Sequence, residues 1–197
     1  PLGRWMLRAS CTQIKAWVEK GYRMGRIAVN LSARQFRQVG LVDDIHFILT
    51  DVGLAAEHLE LEITESIAMD NVETTVAKLE VLKKMGLQLS IDDFGTGYSS
   101  LSYLKRFAID KLKIDQSFVR DIVTDPNDAA IAASTIALAH KMGLKVIAEG
   151  VETEEQRKLL AGAGCDYAQG YLFSRPVPAE EFEKLLKGAL TGGYQAQ

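Results

Sequence analysis

The sequence has 197 residues, of which 47% are hydrophobic and 25% are charged, and its net charge is -3 at pH 7. This length corresponds to one domain, and the composition is typical of a globular protein. The small negative charge argues against binding to duplex nucleic acid or to an anionic membrane surface. No apolar run is long enough to span a membrane, and the distant Cys11 and Cys165 suggest reduced thiols, so we expect a cytoplasmic location.

Helical and strand patterns alternate along the whole chain. Strands are predicted at residues 27–31, 59–63, 87–92, 111–114, 144–148 and 167–173. Helices are predicted at residues 3–20, 42–52, 70–86, 99–105, 126–142, from 153 onward, and at 180–190. Capping boxes are predicted at Asp70 with Glu73 and at Thr153 with Gln156, and Asp125 with Pro126 introduces another helix.

Six strands separated by helices predict a parallel α/β sheet, because each helix can serve as a crossover connection. A doubly wound sheet and an incomplete (β/α)8 barrel both fit this count. The local pattern alone leaves both folds open.

A polar residue lies at or just beyond the C-terminal end of every predicted strand. These residues are Asn30, Glu62, Asp92 with Asp93, Lys113 with Asp115, Glu149, and Gln169. In a barrel the C-terminal strand ends converge on one mouth, so we expect these side chains to surround one site. An open sheet would spread them along an edge.

Four of these residues, Glu62, Asp92, Asp93 and Glu149, are carboxylates that would repel one another at such a mouth, with Lys113 as the main opposing charge. A cluster of hard oxygen donors is typical of Mg²⁺ or Mn²⁺ sites. A single acid at a strand end is more often a solvated residue or a helix cap, and Lys113 could simply pair with Asp115. The regularity over six strands favours a functional site.

Several separated motifs resemble the EAL domain family of cyclic di-GMP phosphodiesterases. The matching segments are AsnLeuSer at 30–32, LeuGluLeuGluIleThrGluSer at 59–66, IleAspAspPheGlyThrGlyTyrSerSerLeu at 91–101, LeuLysIleAsp at 112–115, AlaGluGlyValGlu at 148–152, and GlnGlyTyr at 169–171. The resemblance implies a (β/α)8 TIM-like barrel, a cyclic di-GMP substrate, a linear pGpG product and a site for two Mg²⁺ or Mn²⁺ ions.

The resemblance also implies roles for individual residues. Asn30, Glu62 and Asp92 correspond to ligands of one ion, and Asp92 with Asp93 to ligands of the other. Glu149 lies close by with a catalytic role, and Lys113 corresponds to the lysine that contacts the attacking water or the phosphate. Gln169 and Asp115 are expected to line the site. Glu65 is expected to brace the loop 93–100, which is linked in the family to metal binding and dimerisation.

The GluAlaLeu motif that names the family, and the arginine after it, do not occur in this sequence. We expect both upstream of Pro1, which makes residues 1–197 a single EAL-type domain that is truncated at its N-terminal end. The missing glutamate would bind the first ion and the missing arginine would bind the substrate phosphate. We therefore expect this fragment to bind metal poorly and to turn over little substrate. We expect a homodimer, and a parent protein fused to sensory or cyclase domains and anchored to a membrane only through such domains.

Two other functions remain open at this point. A catalytically degenerate EAL-like domain could act as a cyclic di-GMP receptor or as a protein-interaction module. A different barrel enzyme, such as an enolase-like lyase, also needs strand-end carboxylates and a lysine, but it does not call for the paired aspartates and the glycine-containing loop that follows them.

Overall fold

One sheet of six strands forms the centre of the protein, for which a computed structural model describes residues 2–22, 25–97 and 101–191. The strands are β1 (Ile27–Asn30), β2 (Leu59–Thr64), β3 (Gln88–Phe94), β4 (Lys111–Ile114), β5 (Lys145–Ala148) and β6 (Tyr167–Ala168). Each strand pairs in parallel with the next one in the sequence. A doubly wound sheet reverses its strand order, whereas this order runs in one direction and forms a curled half-barrel.

Helices connect successive strands, and one helix precedes the first strand and another follows the last. They are α1 (Leu2–Glu19), α2 (Ala33–Phe36), α3 (Leu41–Val52), α4 (Glu65–Asp70), α5 (Val72–Lys84), α6 (Leu101–Leu104), α7 (Gln116–Arg120), α8 (Pro126–Lys141), α9 (Glu154–Gly162) and α10 (Ala179–Thr191), with a 3-10 turn at Ala56–His58. None of the helices in the described ranges is long and apolar enough to cross a membrane.

The sequence signals for helix ends are confirmed at several positions. The side chain of Thr153 accepts a hydrogen bond from the backbone of Gln156, and the Gln156 side chain returns to Thr153, which forms the predicted capping box. Asp125 caps α8, which begins at Pro126. Gly53 ends α3 in the left-handed region, with φ of 70°, where glycine has no steric penalty.

The predicted capping box at Asp70 and Glu73 is wrong. Asp70 is the last residue of α4, and its carboxylate accepts a hydrogen bond from Arg37 at 3.0 Å. Asn71 caps α5 instead, because its side chain accepts the backbone N–H of Thr74. An asparagine next to an aspartate offers the same capping chemistry, so the sequence pattern could not separate them.

Several predicted boundaries differ from the structure by one or two residues, and the last strand differs by more. The last strand covers only Tyr167–Ala168, because after this point the chain turns and Phe173 donates its N–H to the carbonyl of Gly170. The helix predicted at 99–105 is α6, and residues 99 and 100 lie outside the described residues. The pattern also missed the short helices α2, α4 and α7, which have four to six residues and too little periodicity to detect.

Alternation along the strands separates the core from the concave face of the half-barrel. On β2, Leu59, Leu61 and Ile63 belong to the hydrophobic core that packs with the helices. The residues between them, Glu60 and Glu62, face the other way and are still buried. The concave face therefore holds charged side chains away from solvent, and this arrangement positions the site.

Candidate active site

Lys113 on β4 lies at the centre of three carboxylates. Its Nζ atom is 2.7 Å from Glu62 Oε2, 3.1 Å from Asp92 Oδ1 and 2.5 Å from Glu149 Oε1. These acids belong to β2, β3 and the end of β5, so the curvature of the sheet brings four strands together at one point. The Lys113 side chain is only 3% exposed, so its positive charge is stabilised by the carboxylates and hardly at all by solvent.

An irregularity in β3 turns both aspartates toward this point. The pairing between β3 and β4 shifts register between Ile91 and Phe94, and Asp93 has a φ of 55°. The N–H of Asp93 donates to Oδ1 of Asp92 at 3.0 Å. A strained, left-handed residue at a bulge redirects its side chain, because neighbouring residues of a regular strand would point to opposite faces.

Three carboxylates have the geometry of a cation site. Asp92, Asp93 and Glu149 each offer an oxygen, and these atoms lie within 4.8 Å of one another. Hard carboxylate oxygens suit Mg²⁺ or Mn²⁺. With Glu62 beside them, the cluster has four carboxylates and one lysine, which contacts three of them, so the residues present fit a divalent cation in both donor type and charge.

Burial and repulsion from neighbouring carboxylates disfavour the charged forms of Glu62, Asp93 and Glu149. Burial raises the pKa of Glu62 and of Glu149, and the neighbouring carboxylates raise both further, although Lys113 opposes the effect. Burial, Asp92 and Asp115 together raise the pKa of Asp93. Burial alone would lower the pKa of Lys113, but hydrogen bonds to Glu149 and Glu62 outweigh it and raise this pKa. Lys113 therefore remains a cation, but its single positive charge does not compensate the negative charges of the neighbouring acids.

Asn30 and Gln169 lie at the two ends of the same edge. Asn30 is the direct register partner of Glu62, and it faces a cavity of about 780 Å³ between α1 and the outer side of β1. The backbone N–H of Gln169 donates to Ala148 O, which places it beside the residue that precedes Glu149. Both side chains are exposed. The fold therefore brings both residues to the rim of the site.

Asp115 does not pair with Lys113, contrary to one of the interpretations left open by the sequence. Its carboxylate accepts the backbone N–H of Ser117 at 2.8 Å and caps α7. Asp115 also contacts Asp93 and contributes to the raised pKa of that residue. It is thus a neighbour of the acidic cluster.

Glu65 connects α4 to the loop after β3. It is buried, and its Oε2 atom accepts the N–H of Gly95 at 2.9 Å. A Cβ atom on Gly97 would lie 2.6 Å from Glu65 Oε1, so a larger residue there would displace the Glu65 carboxylate. Glu65 therefore holds the described part of this loop, residues 93–97, against the site, and residues 98–100 lie outside the described ranges.

The sequence and the fold have relatives that are already known. The family model described as the EAL domain matches residues 1–176. The chain belongs to the EAL domain family. Among curated relatives, the signaling protein YkoW of Bacillus subtilis is 46% identical over 94% of this chain, and MucR of Pseudomonas aeruginosa is 47% identical over 91%. MucR is named a bifunctional diguanylate cyclase/cyclic di-GMP phosphodiesterase. The matches span 23% of YkoW and 26% of MucR, so the chain corresponds to about a quarter of each.

Solved EAL structures share the fold. A complex of the MucR phosphodiesterase with c-di-GMP has a TM-score of 0.89 and 47% identity, and the match covers 92% of this chain and 73% of that chain. A manganese and c-di-GMP complex of Klebsiella pneumoniae BlrP1 has a TM-score of 0.76 and 34% identity, with 88% of this chain and 45% of that chain covered. The prediction of an EAL-type barrel fold is therefore confirmed.

A buried ion pair near the site was missed by the sequence interpretation. Lys111 Nζ lies 2.5 Å from Glu60 Oε2, on the same concave face as Lys113 and Glu62. The alternation of acids in LeuGluLeuGlu and of lysines in LysLeuLys was a visible signal, because it places two charges of each strand on one face. Pairing across an intervening strand is not visible in such a pattern.

Proposed function

We propose that this site hydrolyses one phosphodiester of cyclic di-GMP to give linear pGpG, with Mg²⁺ or Mn²⁺ as cofactor. The observation that carries the proposal is the position of Asp92, Asp93 and Glu149 around one point, with Lys113 buried among the acids. The similarity to MucR, whose solved structure is a c-di-GMP complex, supports the choice of substrate.

The residues of this chain would have different roles in the reaction, according to their side-chain chemistry. Asn30, Glu62, Asp92 and Asp93 would hold the cations, with Glu149 beside them. A bound divalent ion supplies Lewis acidity, since it lowers the pKa of a water ligand and offsets negative charge on phosphate oxygens. Lys113 stays protonated and would orient the attacking water or stabilise charge on the phosphate. Gln169 and Asp115 would line the substrate side of the site.

We also propose that residues 1–197 form one EAL-type domain that is completed by preceding residues. Those residues would carry the GluAlaLeu motif and the phosphate-binding arginine, and this chain alone would be weak or inactive. Two observations support this: β1 has no strand partner on its outer side within the described residues, and the match covers 73% of the MucR phosphodiesterase chain. The proposal extends to a cytoplasmic homodimer within a larger protein that contains sensory or cyclase domains.

The test compares this chain with a chain extended upstream to include the GluAlaLeu motif. We expect the extended chain to release pGpG from cyclic di-GMP when Mn²⁺ is present, and Asp92→Asn to abolish this release. Asp43→Asn, on the exposed first turn of α3, is the matched control and should leave the rate unchanged. Binding of cyclic di-GMP without cleavage would instead indicate a receptor, and no binding would contradict the proposed substrate.

A further inference from the structure

A second charged layer lies beneath the candidate site. On the concave face, β2 presents Glu60 below Glu62, and β4 presents Lys111 below Lys113. The pairs Glu60–Lys111 and Glu62–Lys113 have N–O distances of 2.5 Å and 2.7 Å. Because β3 lies between β2 and β4, both ion pairs cross the same strand, one above the other.

Ser90 provides the space for this crossing. It is the register partner of Glu62 on β2 and of Lys111 on β4, and it is fully buried. Its short side chain leaves room on the concave face for the long side chains that meet above β3. A larger residue at this position would separate the pairs.

Lys111 is the compensating charge of Glu60. Glu60 is 3% exposed, and its second oxygen, Oε1, has no hydrogen-bond partner among the described residues. Its other oxygen contacts Lys111 Nζ, and this ammonium group also lies 5.5 Å from the centroid of the Tyr167 ring. Loss of Lys111 would therefore leave a buried carboxylate without a cation, which is strongly unfavourable.

The two layers are close enough to compete for positive charge. Glu60 and Glu62 are two residues apart on one strand, which is about 6.6 Å along the strand. Buried charges interact strongly at this separation, because the local dielectric constant is low. An uncompensated Glu60 would attract the Lys113 ammonium away from Asp92 and Glu149, whereas an uncompensated Lys111 would be attracted toward Glu62.

We propose that Glu60 and Lys111 are positioning residues that neutralise the lower layer and so keep Lys113 with Glu62, Asp92 and Glu149. The pair sets how much negative charge the acidic cluster offers to a divalent cation. This inference rests on the proposed function only in assigning that cluster to a cation. The proposal predicts opposite effects on Mn²⁺ affinity when Glu60 and Lys111 are substituted one at a time.

Calorimetric titration with Mn²⁺ tests the inference on the chain extended upstream to include the GluAlaLeu motif. We expect Lys111→Met to raise the Mn²⁺ affinity by about tenfold, because the cluster gains negative charge, and Glu60→Gln to lower it by a similar factor. The double variant Glu60→Gln/Lys111→Met should return to within about twofold of the wild type, since both charges are gone. Lys145→Met is the matched control, because Lys145 is the register partner of Lys111 on β5 but is exposed and pairs with Asp166.

NMR of the Lys113 side-chain ammonium group gives a second readout that needs neither metal nor substrate. Its Nζ resonance should shift in Lys111→Met, return in the double variant and stay unchanged in Lys145→Met. If the pair served folding alone, the variants would be less stable but the Lys113 Nζ resonance would not shift, and this result would overturn the inference. Single substitutions that both raise, or both lower, the Mn²⁺ affinity would also overturn it. If the upstream-extended chain binds Mn²⁺ but cleaves no cyclic di-GMP, only the proposed function fails. If it binds no Mn²⁺, the Lys113 resonance decides.

Discussion

The two ends of the sheet arrange their charges in opposite ways. At the C-terminal end, three carboxylates share the single ammonium group of Lys113. At the N-terminal end, one carboxylate has several donors: Asp166 accepts the N–H of Val146 at 2.9 Å and contacts Lys145 and His140 at 2.6 Å and 2.8 Å. The first arrangement has an excess of negative charge, and the second is internally satisfied.

The N-terminal arrangement occurs twice. Asp110 precedes β4 and accepts the N–H of Leu89, the second residue of β3, at 3.0 Å, and Lys83 pairs with it. Asp166 precedes β6 and accepts the N–H of Val146, the second residue of β5. Each aspartate satisfies a backbone donor at the start of a neighbouring strand. In parallel barrels the N-terminal end serves stability and the C-terminal end serves function, and the charges here follow that division.

The pKa values reflect the same difference. Burial and neighbouring acids raise the pKa of Glu62 and Glu149 at the C-terminal end. Burial alone would raise the pKa of Asp166 as well, but contacts with Lys145, His140 and the N–H of Val146 lower it to about 2. The carboxylates around Lys113 have too little positive charge nearby, so they can bind a cation. The carboxylate of Asp166 already has its ion pairs and hydrogen bonds, so it does not need a metal ion.

The largest expected effect comes from removing the shared cation. Lys113→Met leaves Glu62, Asp92 and Glu149 buried without their lysine, and we expect it to lower the free energy of unfolding by about 3 kcal/mol without metal. Urea denaturation with and without Mn²⁺ measures this loss, and Mn²⁺ should restore part of it. Lys15→Met, which removes a surface pair between the half-buried Lys15 and the exposed Glu19, is the control and should change stability little. An equal loss in both variants would contradict the special position of Lys113.

Metal binding should stabilise the C-terminal end selectively. At a hundredfold excess over Kd, Mn²⁺ should raise the free energy of unfolding by about 2.7 kcal/mol, because it binds only the folded state. We expect Asp92→Asn to lose this stabilisation and Asp166→Asn to keep it. Thermal unfolding over a Mn²⁺ concentration series measures both variants. Equal stabilisation of the two would place the cation elsewhere.

Acid should weaken the N-terminal arrangement through Asp166. Its pKa is about 2 in the folded protein and 3.8 in the unfolded reference, so its contribution is fully present above pH 3.8 and is lost as the pH falls through about 2. We expect Asp166→Asn to be less stable than the wild type by about 1 kcal/mol at pH 6, with the difference shrinking toward pH 2. Denaturation curves from pH 2 to 6 test this, and a difference independent of pH would exclude the charge as its cause.

Substitution of one glycine at each end of the sheet should give the smallest effects. Gly97→Ala at the C-terminal end would place a Cβ against Glu65 and should weaken Mn²⁺ binding, since Glu65 holds the loop that follows Asp93. Gly143→Ala at the N-terminal end meets no neighbouring atom but has a φ of 75°, so it should cost about 1 kcal/mol of stability and leave Mn²⁺ affinity unchanged. Calorimetry measures the Mn²⁺ affinity of both variants, and denaturation measures their stability. Weaker Mn²⁺ binding in Gly143→Ala but not in Gly97→Ala would contradict the assignment of the cation to the C-terminal end.

Much of this could be predicted from the sequence, but unevenly. Strand β4 was predicted to the residue, and the strand-end acids were placed at one edge because parallel strands share a direction. The cap of α5 was assigned to the wrong residue of AspAsn, since capping depends on a backbone angle that side-chain type does not determine. The short final strand was overestimated, because the apolar pattern continues into the turn after Ala168.

The sequence by itself determined the alternation of strands and helices, the family and the list of polar residues at the strand ends. The alternation and the polar residues follow from local periodicity and residue chemistry along the chain, and the family follows from the resemblance of several separate motifs. Only the tertiary structure decided the order of the strands, the sharing of Lys113 among three acids and the pairing of Glu60 with Lys111. The pairs Glu62–Lys113 and Glu60–Lys111 reach across the intervening strand β3, and the curvature of the sheet, which no local pattern specifies, sets their distances.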